Sequence, residues 1–454
     1  MAIDVVMKGR TSQGTIAWAI ALLLVPWVSL PFYLVLGDRK FSGYVLARRR
    51  GKGGIETVAT TLTESLRPFV TLPPDDDRSH RAFSKLARLP FTSGNQVDLL
   101  IDGSATFDAI MNAIELATNY IVVQFYIFRD DGLGQRLQQA LLTARKRGVR
   151  IYLLYDEIGS YWLTRSYIQV LRDAGCECSG FRTKLHKQRP FRINFRNHRK
   201  IVICDGRVAF VGGHNVGDEY LGLHKKLTPW RDTHAGLRGP AVQCVQLAFL
   251  EDWYWATRTI PELEWTPRAV DGPGANVLIV PSSPADDLET CSLLHAQVAN
   301  SARSRLWMAS PYFVPDEELV GALQLAALRA VDVAVIIPEK PDRVLPLLSA
   351  FTYYDEIIPT GVKIYRYRKG FPHQKVVLSD DLVCVGTANL DNRSFRINFE
   401  ITVVVSDSTF AGQVAEMLKS DVANSRVVAK EEFRNRSFWF RFACRVSRLL
   451  APIQ

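Results

Sequence analysis

Apolar positions recur along this chain with two periods, and the changes of period outline its elements. From Phe107 to Asn119 they fall three and four apart, as on an amphipathic helix, while residues 121–127 (IVVQFYI) form the unbroken apolar run of a buried strand. Residues 134–147 return to the helical period and 149–155 (VRIYLLY) to a strand. The same order is then written again: 306–314 (LWMASPYFV) as strand, 317–329 as helix, 331–337 (VDVAVII) as strand, and 361–367 (GVKIYRY) leading into a hairpin. Strands separated by helices predict βαβ units, hence an α/β fold of two duplicated domains. Each is expected to hold its own mixed, mostly parallel sheet flanked by helices, with the two copies meeting at a pseudo-twofold interface. Gly, Pro and Ser cluster from Asp271 to Pro284 and mark the junction.

Ahead of the repeats, 21 residues from Ile16 to Leu36 carry no charge. At about 1.5 Å per residue they can cross a hydrocarbon core of about 30 Å, with Pro26 and Pro31 kinking the helix. Two prolines, two tryptophans and the lack of a small-residue cleavage site favour a retained transmembrane anchor over a cleaved leader; a re-entrant hairpin is the alternative that the prolines raise. Lys8 and Arg10 precede the span, and Arg39, Lys40, Arg48, Arg49, Arg50 and Lys52 follow it, which places the bulk of the chain in the cytoplasm. The division expected is anchor and basic linker at 1–60, first repeat at 61–270, second at 271–410, and a basic aromatic segment at 411–454. Within that last segment, arginines 434, 436, 441, 445 and 448 interleave with Phe438, Trp439, Phe440 and Phe442, a composition suited either to a lipid interface or to a helix packed on the body.

Composition narrows the class. With 47% hydrophobic and 22% charged residues in 454, the chain is a folded protein of several domains. A net charge of +10 favours an anionic partner. Seven cysteines, odd in number and set singly in apolar runs, read as reduced core residues.

The candidate chemistry lies in two predicted β-hairpins. NHRKIVICDGRVAFVGGHN holds His198, Lys200, Asp205, Gly212, Gly213 and Asn215; PHQKVVLSDDLVCVGTAN holds His373, Lys375, Asp380, Gly386 and Asn389. Apolar residues alternate around a tight Asp-Gly or Asp-Asp turn, and His and Lys two apart share one face of a strand. Imidazole and ammonium on one face suit a phosphate. Two such faces together supply one histidine to attack phosphorus and another to protonate the leaving oxygen, with Lys200, Lys375, Asn215 and Asn389 on the charged oxygens. Asp205 and Asp380, at turns, would repel a phosphate and are expected to brace the hairpins. Each histidine also needs a group to set its tautomer. The candidates are Asp232 in PWRDTH and Glu400 in NFEIT, each opening a strand that follows its histidine.

The doubled H-x-K-x4-D pattern followed by small residues and Asn resembles the signature of the phospholipase D superfamily. The strings FVGGHNVGDEYLG (210–222), PWRDTHAGLRGPAV (229–242), SPYFVPDEEL (310–319) and GTANLDNRSFRINFEI (386–401) are similar to those of bacterial cardiolipin synthases. The resemblance implies two phospholipase D-like domains, a double displacement through phosphohistidine with His198 as nucleophile and His373 as acid, and no metal or other cofactor. It further implies transfer of a phosphatidyl group between two molecules of phosphatidylglycerol with release of glycerol, at a bacterial inner membrane. A hydrolase or a transferase with another alcohol acceptor is allowed equally by the motifs. A nuclease is disfavoured by the uncharged span, so nucleic acid is not the expected partner; the oligomeric state is left open. Activity is expected near the ordinary histidine value of about 6.5.

This chain departs from that pattern in having one apolar span, a second hairpin one residue shorter between Asp and Gly, Gln374 after the second histidine, and His214 before Asn215. His214 reads more readily as a plain strand-end histidine than as part of the headgroup pocket. Tyr126 and Tyr312 hold equivalent places in the two copies and are able to line the site. The basic run 181–200 leads into the first motif and suits an anionic lipid surface.

Overall fold

A computed structural model describes residues 5–6, 12–36, 44, 54–71, 77–181, 195–223 and 227–454. The first repeat supplies strands β1 (Thr92–Ile101), β2 (Tyr120–Phe125), β3 (Arg150–Asp156), β4 (Glu177–Phe181), β5 (Ile201–Cys204), β6 (Val208–Gly212) and β7 (Thr233–Arg238). Their counterparts are β8 (Ala275–Ser282), β9 (Arg305–Ala309), β10 (Asp332–Pro338), β11 (Lys363–Tyr367), β12 (Val376–Ser379), β13 (Leu382–Gly386) and β14 (Asn398–Ser406). Across the sheet they run β1-β7-β6-β5-β2-β3-β4 and β8-β14-β13-β12-β9-β10-β11. The two orders are identical, which makes the duplication a fact of topology.

Two expectations are corrected. The copies do not hold separate sheets: β1 pairs antiparallel with β8, Thr92 opposite Val277, and joins them into one 16-stranded sheet. Nor is the sheet mostly parallel. Among the fourteen strands named above, only the pairs β2/β3, β3/β4, β9/β10 and β10/β11 are parallel, because only these neighbours are linked through helices. The reactive hairpins and β1, β7, β8 and β14 pair antiparallel.

Helices cover both faces, so central strands such as β2, buried at every position, read as continuous apolar runs rather than alternating ones. Helices Ala241–Thr257 and Ser408–Ala423, which follow β7 and β14, share one apolar core spanning both copies. Two further cores, one per copy, lie under Asp102–Leu116, Gly132–Lys146 and Arg165–Asp173 and under Thr290–Ser301, Glu317–Leu328 and Val344–Ile357. All seven cysteines are free.

The one-residue difference between the hairpins has a simple origin. In the first, Ile201 pairs with Val211 and Cys204 with Val208, leaving Asp205, Gly206 and Arg207 in the turn. In the second, Val376 pairs with Val385 and Ser379 with Leu382, leaving only Asp380 and Asp381. The extra residue is absorbed in the turn, and the register of both ladders is kept.

Where one kinked span was expected, with a re-entrant hairpin as the alternative, two helices stand: α1 (Ser12–Leu24) and α2 (Pro26–Leu36), broken at Val25. Pro26 has no N–H and disfavours helical backbone in the residue before it. The rings of Trp18 and Tyr33 lie 5.3 Å apart, whereas fifteen residues of straight helix would separate them by roughly 22 Å, so the chain folds back on itself. Among the described residues, no helix is long and apolar enough to cross a membrane. The flanking charges used for orientation, Lys8, Arg10 and the run from Arg39 to Lys52, lie outside the described residues, as do positions 182–194 of the basic run.

Candidate active site

The two hairpins meet at the junction of the copies, and His198, His373, Asn215 and Asn389 line one cavity of ≈ 950 Å³. Each histidine sits just before its strand, tied to the other copy by its backbone: His198 N–H donates to Phe399 O at 2.9 Å and His373 N–H to Arg231 O at 2.7 Å. The short strand Arg196–Asn197 runs parallel to the start of β14, and Phe371–Pro372 runs parallel to Trp230–Arg231. The main chain therefore carries each histidine across the interface.

That crossing decides the carboxylate partners. His198 Nδ1 lies 2.9 and 3.0 Å from the two oxygens of Glu400, and His373 Nδ1 lies 2.8 Å from Asp232. The expectation had each acid serving the histidine of its own copy; the same residues are used with the pairing exchanged. A carboxylate only accepts, so Nδ1 carries the proton in both rings and Nε2 keeps its lone pair. Glu400 is fully buried and also accepts from Thr387 Oγ1 (2.6 Å) and Asn398 Nδ2 (3.0 Å). Asp232 approaches because position 213 is glycine: a Cβ there would meet Asp232 Oδ1 at 2.0 Å.

Charge in the site is finely opposed. Burial lowers His198 to about 4, against the raising influence of Glu400, and lowers His373 to about 3, helped by Lys375 and opposed by Asp232. Burial would raise both carboxyls, yet Lys375, His214 and His373 hold Asp232 below its ordinary value, and His198 and Lys200 do the same to Glu400. Burial also lowers Lys375 to about 8 and Lys200 well below its usual value. Lys200 Nζ donates to His198 O at 2.6 Å; Lys375 Nζ lies 2.8 Å from His373 Nδ1 and 3.1 Å from its Nε2, and also reaches His373 O. Without a ligand both imidazoles are neutral at pH 7, so the ordinary value of 6.5 does not describe this site.

Asn215 is braced by Ile127 N–H (3.0 Å) and Tyr220 Oη (3.0 Å), and Asn389 Nδ2 donates to Asp391 at 3.2 Å. Asn389 Oδ1 is buried with no protein partner. The motif aspartates stand at the far ends of the hairpins. Asp205 accepts from the N–H groups of Thr118, Asn119 and Tyr120 at 2.8–2.9 Å, and Asp380 from those of Arg303, Ser304 and Arg305 at 2.7–3.1 Å. Both adopt left-handed backbone (φ +54° and +51°), which aspartate tolerates better than most residues. Tyr126 lines the cavity with its ring 4.9 Å from that of His198; Tyr312 lines it too and donates to Asp342 at 2.7 Å. His214 is buried away from the cavity lining, its Nδ1 3.0 Å from that of His234.

Several residues had no individual role assigned from the sequence. Arg199, 2% exposed, bonds Asp252 at 2.9 Å and the carbonyls of Glu400 and Ala248, clamping the first motif to helix Ala241–Thr257 and to the other copy. Arg231, beside Asp232, bonds Asp421 of helix Ser408–Ala423. Arg196, Arg343 and Arg393 line the cavity. Arg196 and Arg199 belong to the basic run 181–200 that was expected to meet an anionic lipid surface, and Arg231 adjoins Asp232; Arg343 and Arg393 gave no such signal.

Comparison with known proteins agrees with this geometry. A family model described as cardiolipin synthase, PLD-like domain, matches residues 110–227 and 296–422, and one described as phospholipase D-nuclease N-terminal matches residues 1–37. Cardiolipin synthase A of Pseudomonas putida (strain GB-1) is 47% identical over 458 aligned residues, covering 100% of this chain and 95% of that protein. Cardiolipin synthase A of Pseudomonas aeruginosa (strain LESB58) is also 47% identical, with 93% of its length covered. Among solved structures, the phosphatidylserine synthase of Haemophilus influenzae Rd KW20 superposes with a TM-score of 0.64 at 16% identity, over 83% of this chain and all of that one. The polyphosphate kinase of Porphyromonas gingivalis gives 0.50 at 11% identity, over 80% and 52%. These two likenesses speak for the fold.

Proposed function

The chain belongs to the bacterial cardiolipin synthases of the phospholipase D superfamily, and on that premise we propose that it moves a phosphatidyl group from one phosphatidylglycerol to the terminal hydroxyl of another, releasing glycerol. The observation that carries this reading is the single cavity in which two histidines, each oriented by a carboxylate of the opposite copy, face a common space. His198 Nε2 attacks phosphorus as the bond to the glycerol oxygen breaks, and His373 gives that oxygen its proton. His373, now neutral, takes the proton of the incoming hydroxyl, whose oxygen displaces His198 from phosphorus. Burial leaves His373 neutral in the empty site; the phosphodiester anion brings the negative charge that favours its protonated form. Lys200, Lys375, Asn215 and Asn389 hold the phosphoryl oxygens, while Asp205 and Asp380 brace the hairpins.

The reading extends to the membrane. Helices α1 and α2 expose Leu23, Leu24, Trp27, Val28 and Phe32, an apolar surface suited to lipid, as a re-entrant anchor rather than a straight span. Helix Phe438–Leu449 packs on Val344–Ile357, with Phe440 against Phe351 at 5.2 Å, and leaves Phe438, Trp439, Phe442 and Leu449 exposed. Val344, Leu345 and Leu450, on the same side, line the cavity, so the apolar surface continues to the mouth where lipid enters. The catalytic body then lies on the cytoplasmic face of a bacterial membrane, organised as anchor (1–60), a first repeat (61–270), a second repeat that continues past 410 through helix Ser408–Ala423, and a basic aromatic tail after it. Purified protein with phosphatidylglycerol vesicles should yield cardiolipin and one glycerol per product. Phosphatidic acid as the sole product would defeat the reading.

A further inference from the structure

Each repeat sends its chain out of the sheet at an equivalent place, after β3 in the first copy and after β10 in the second, and both exits reach the cavity. In the second copy Val344 and Leu345 line the cavity while 67% and 49% exposed, so they stand on its rim. In the first copy half-buried Ile158 lines it. Three and four residues farther on, Tyr161 and Trp162 are 65% and 62% exposed, with ring centroids 4.2 Å apart. Two large aromatic side chains standing together in water mark a surface that another phase or molecule covers.

Their exposure is imposed by firmly held neighbours. Ser160 is buried, and its Oγ donates to Tyr126 O and accepts from Phe128 N–H, both at 3.0 Å. Leu163 N–H closes a turn on Ser160 O at 2.9 Å, and its side chain packs on the core of the first copy. Thr164 then caps helix Arg165–Asp173 by accepting from Tyr167 N–H at 3.1 Å. On the other side, buried Asp156 accepts from the N–H groups of Ile158 and Gly159 at 2.9 and 2.8 Å. Its second oxygen accepts from Asn197 N–H, one residue before His198, at 2.8 Å. The aromatic pair therefore projects from a turn that is fixed at both ends and tied to the residues beside His198.

We propose that Tyr161 and Trp162 enter the interface of an anionic phospholipid bilayer, so that the cavity rim is seated in lipid on the side of the first copy as well as along Val344 and Leu345. The inference rests on the membrane reading above and deepens it, since that reading draws its lipid contacts from the N-terminal helices, the second copy and the tail. Lipid is favoured as the occupant by the continuity of the turn with the cavity in which lipid reacts, and by apolar side chains on the rim at equivalent exits of both copies. Tyr and Trp, each with an apolar body and a polar tip, suit the depth of the headgroups. Exposed Arg165, three residues on, brings a positive charge to the same edge.

The test follows the turn and the rate separately in the full chain. A polarity-sensitive fluorophore is attached at Trp162→Cys, with the unaltered protein treated identically as the blank, and phosphatidylglycerol vesicles are added. Its emission should shift to the blue and be quenched by brominated acyl chains. In the double variant Tyr161→Ser, Trp162→Ser, phosphatidyl turnover on vesicles should fall roughly tenfold. Turnover of dihexanoyl phosphatidylglycerol below its micelle concentration should change less than twofold, which also reports an intact fold, and Trp162→Phe should keep most of the vesicle rate. An unshifted probe on protein that floats with the vesicles, or equal losses on both substrates, or no loss on either, would overturn this surface and leave the membrane reading in place. A solution dimer that the double variant dissolves, with its vesicle rate kept, would overturn it in favour of a second copy of the chain. Failure of the unaltered protein to float with the vesicles would overturn the membrane reading and this surface with it.

Discussion

Replacing Glu400 by glutamine tests the exchanged pairing most directly. The side chain keeps its size and its place beneath His198, but the atom 2.9 Å from His198 Nδ1 loses its charge. Glu400 accepts from His198, Thr387 and Asn398 at once, and an amide has one oxygen to offer where the carboxylate had two. With its nitrogen toward His198, the glutamine forces the proton from Nδ1 to Nε2, the nitrogen that must attack. A charge-assisted bond in a buried site is worth about 1.5–3 kcal/mol, and the wrong tautomer removes the nucleophile as well. Together these predict a fall in turnover of about a thousandfold or more, with phosphatidylglycerol binding changed far less. Rapid-quench trapping of labelled lipid on the enzyme locates the defect, which should lie in forming the phosphohistidine. Ring-nitrogen NMR should show His198 changing tautomer while His373 does not. Turnover within tenfold of the unaltered enzyme, or a tautomer change at His373 instead, refutes the crossed pairing.

Other outcomes follow from the same geometry. Gly213→Ala places a methyl 2.0 Å from Asp232 Oδ1 and should displace it from His373, cutting cardiolipin formation at least tenfold while far-UV circular dichroism is kept; an unaltered rate contradicts the close approach. Arg199→Met strands the buried charge of Asp252 and should cost roughly 3–5 kcal/mol, seen as a lower urea midpoint at unchanged slope; a loss below about 1 kcal/mol contradicts the clamp. His198 has a folded value of about 4, below its ordinary 6.5, so the unfolded chain takes up the proton first as pH falls. Its contribution to stability is therefore lost progressively from about pH 6.5 down to about 4, on the order of 3 kcal/mol, and His198→Gln should flatten that part of a plot of urea stability against pH; an equal slope in both proteins argues against it.

Local chemistry was legible in the amino-acid sequence because it depends on neighbours in the chain. Asp at a turn braces the hairpin above it, and helical or unbroken apolar runs mark the βαβ units of both repeats, whereas each His and Lys two apart stand just before the strand and not on its face. The break at Pro26 was half legible: the prolines raised both a kinked span and a re-entrant hairpin, and only the packing that brings Trp18 against Tyr33 chose the fold-back. What the tertiary structure alone decided involves partners far apart in the chain. β1 joins β8 across the junction, and antiparallel pairing dominates because the hairpins return without a helix. Glu400 serves a histidine 202 residues away, and Asp232 one 141 residues away, because each histidine crosses to the other copy before its strand begins. Periodicity and spacing constrain residues within one element; they are silent on which of two equivalent carboxylates a symmetric interface will deliver.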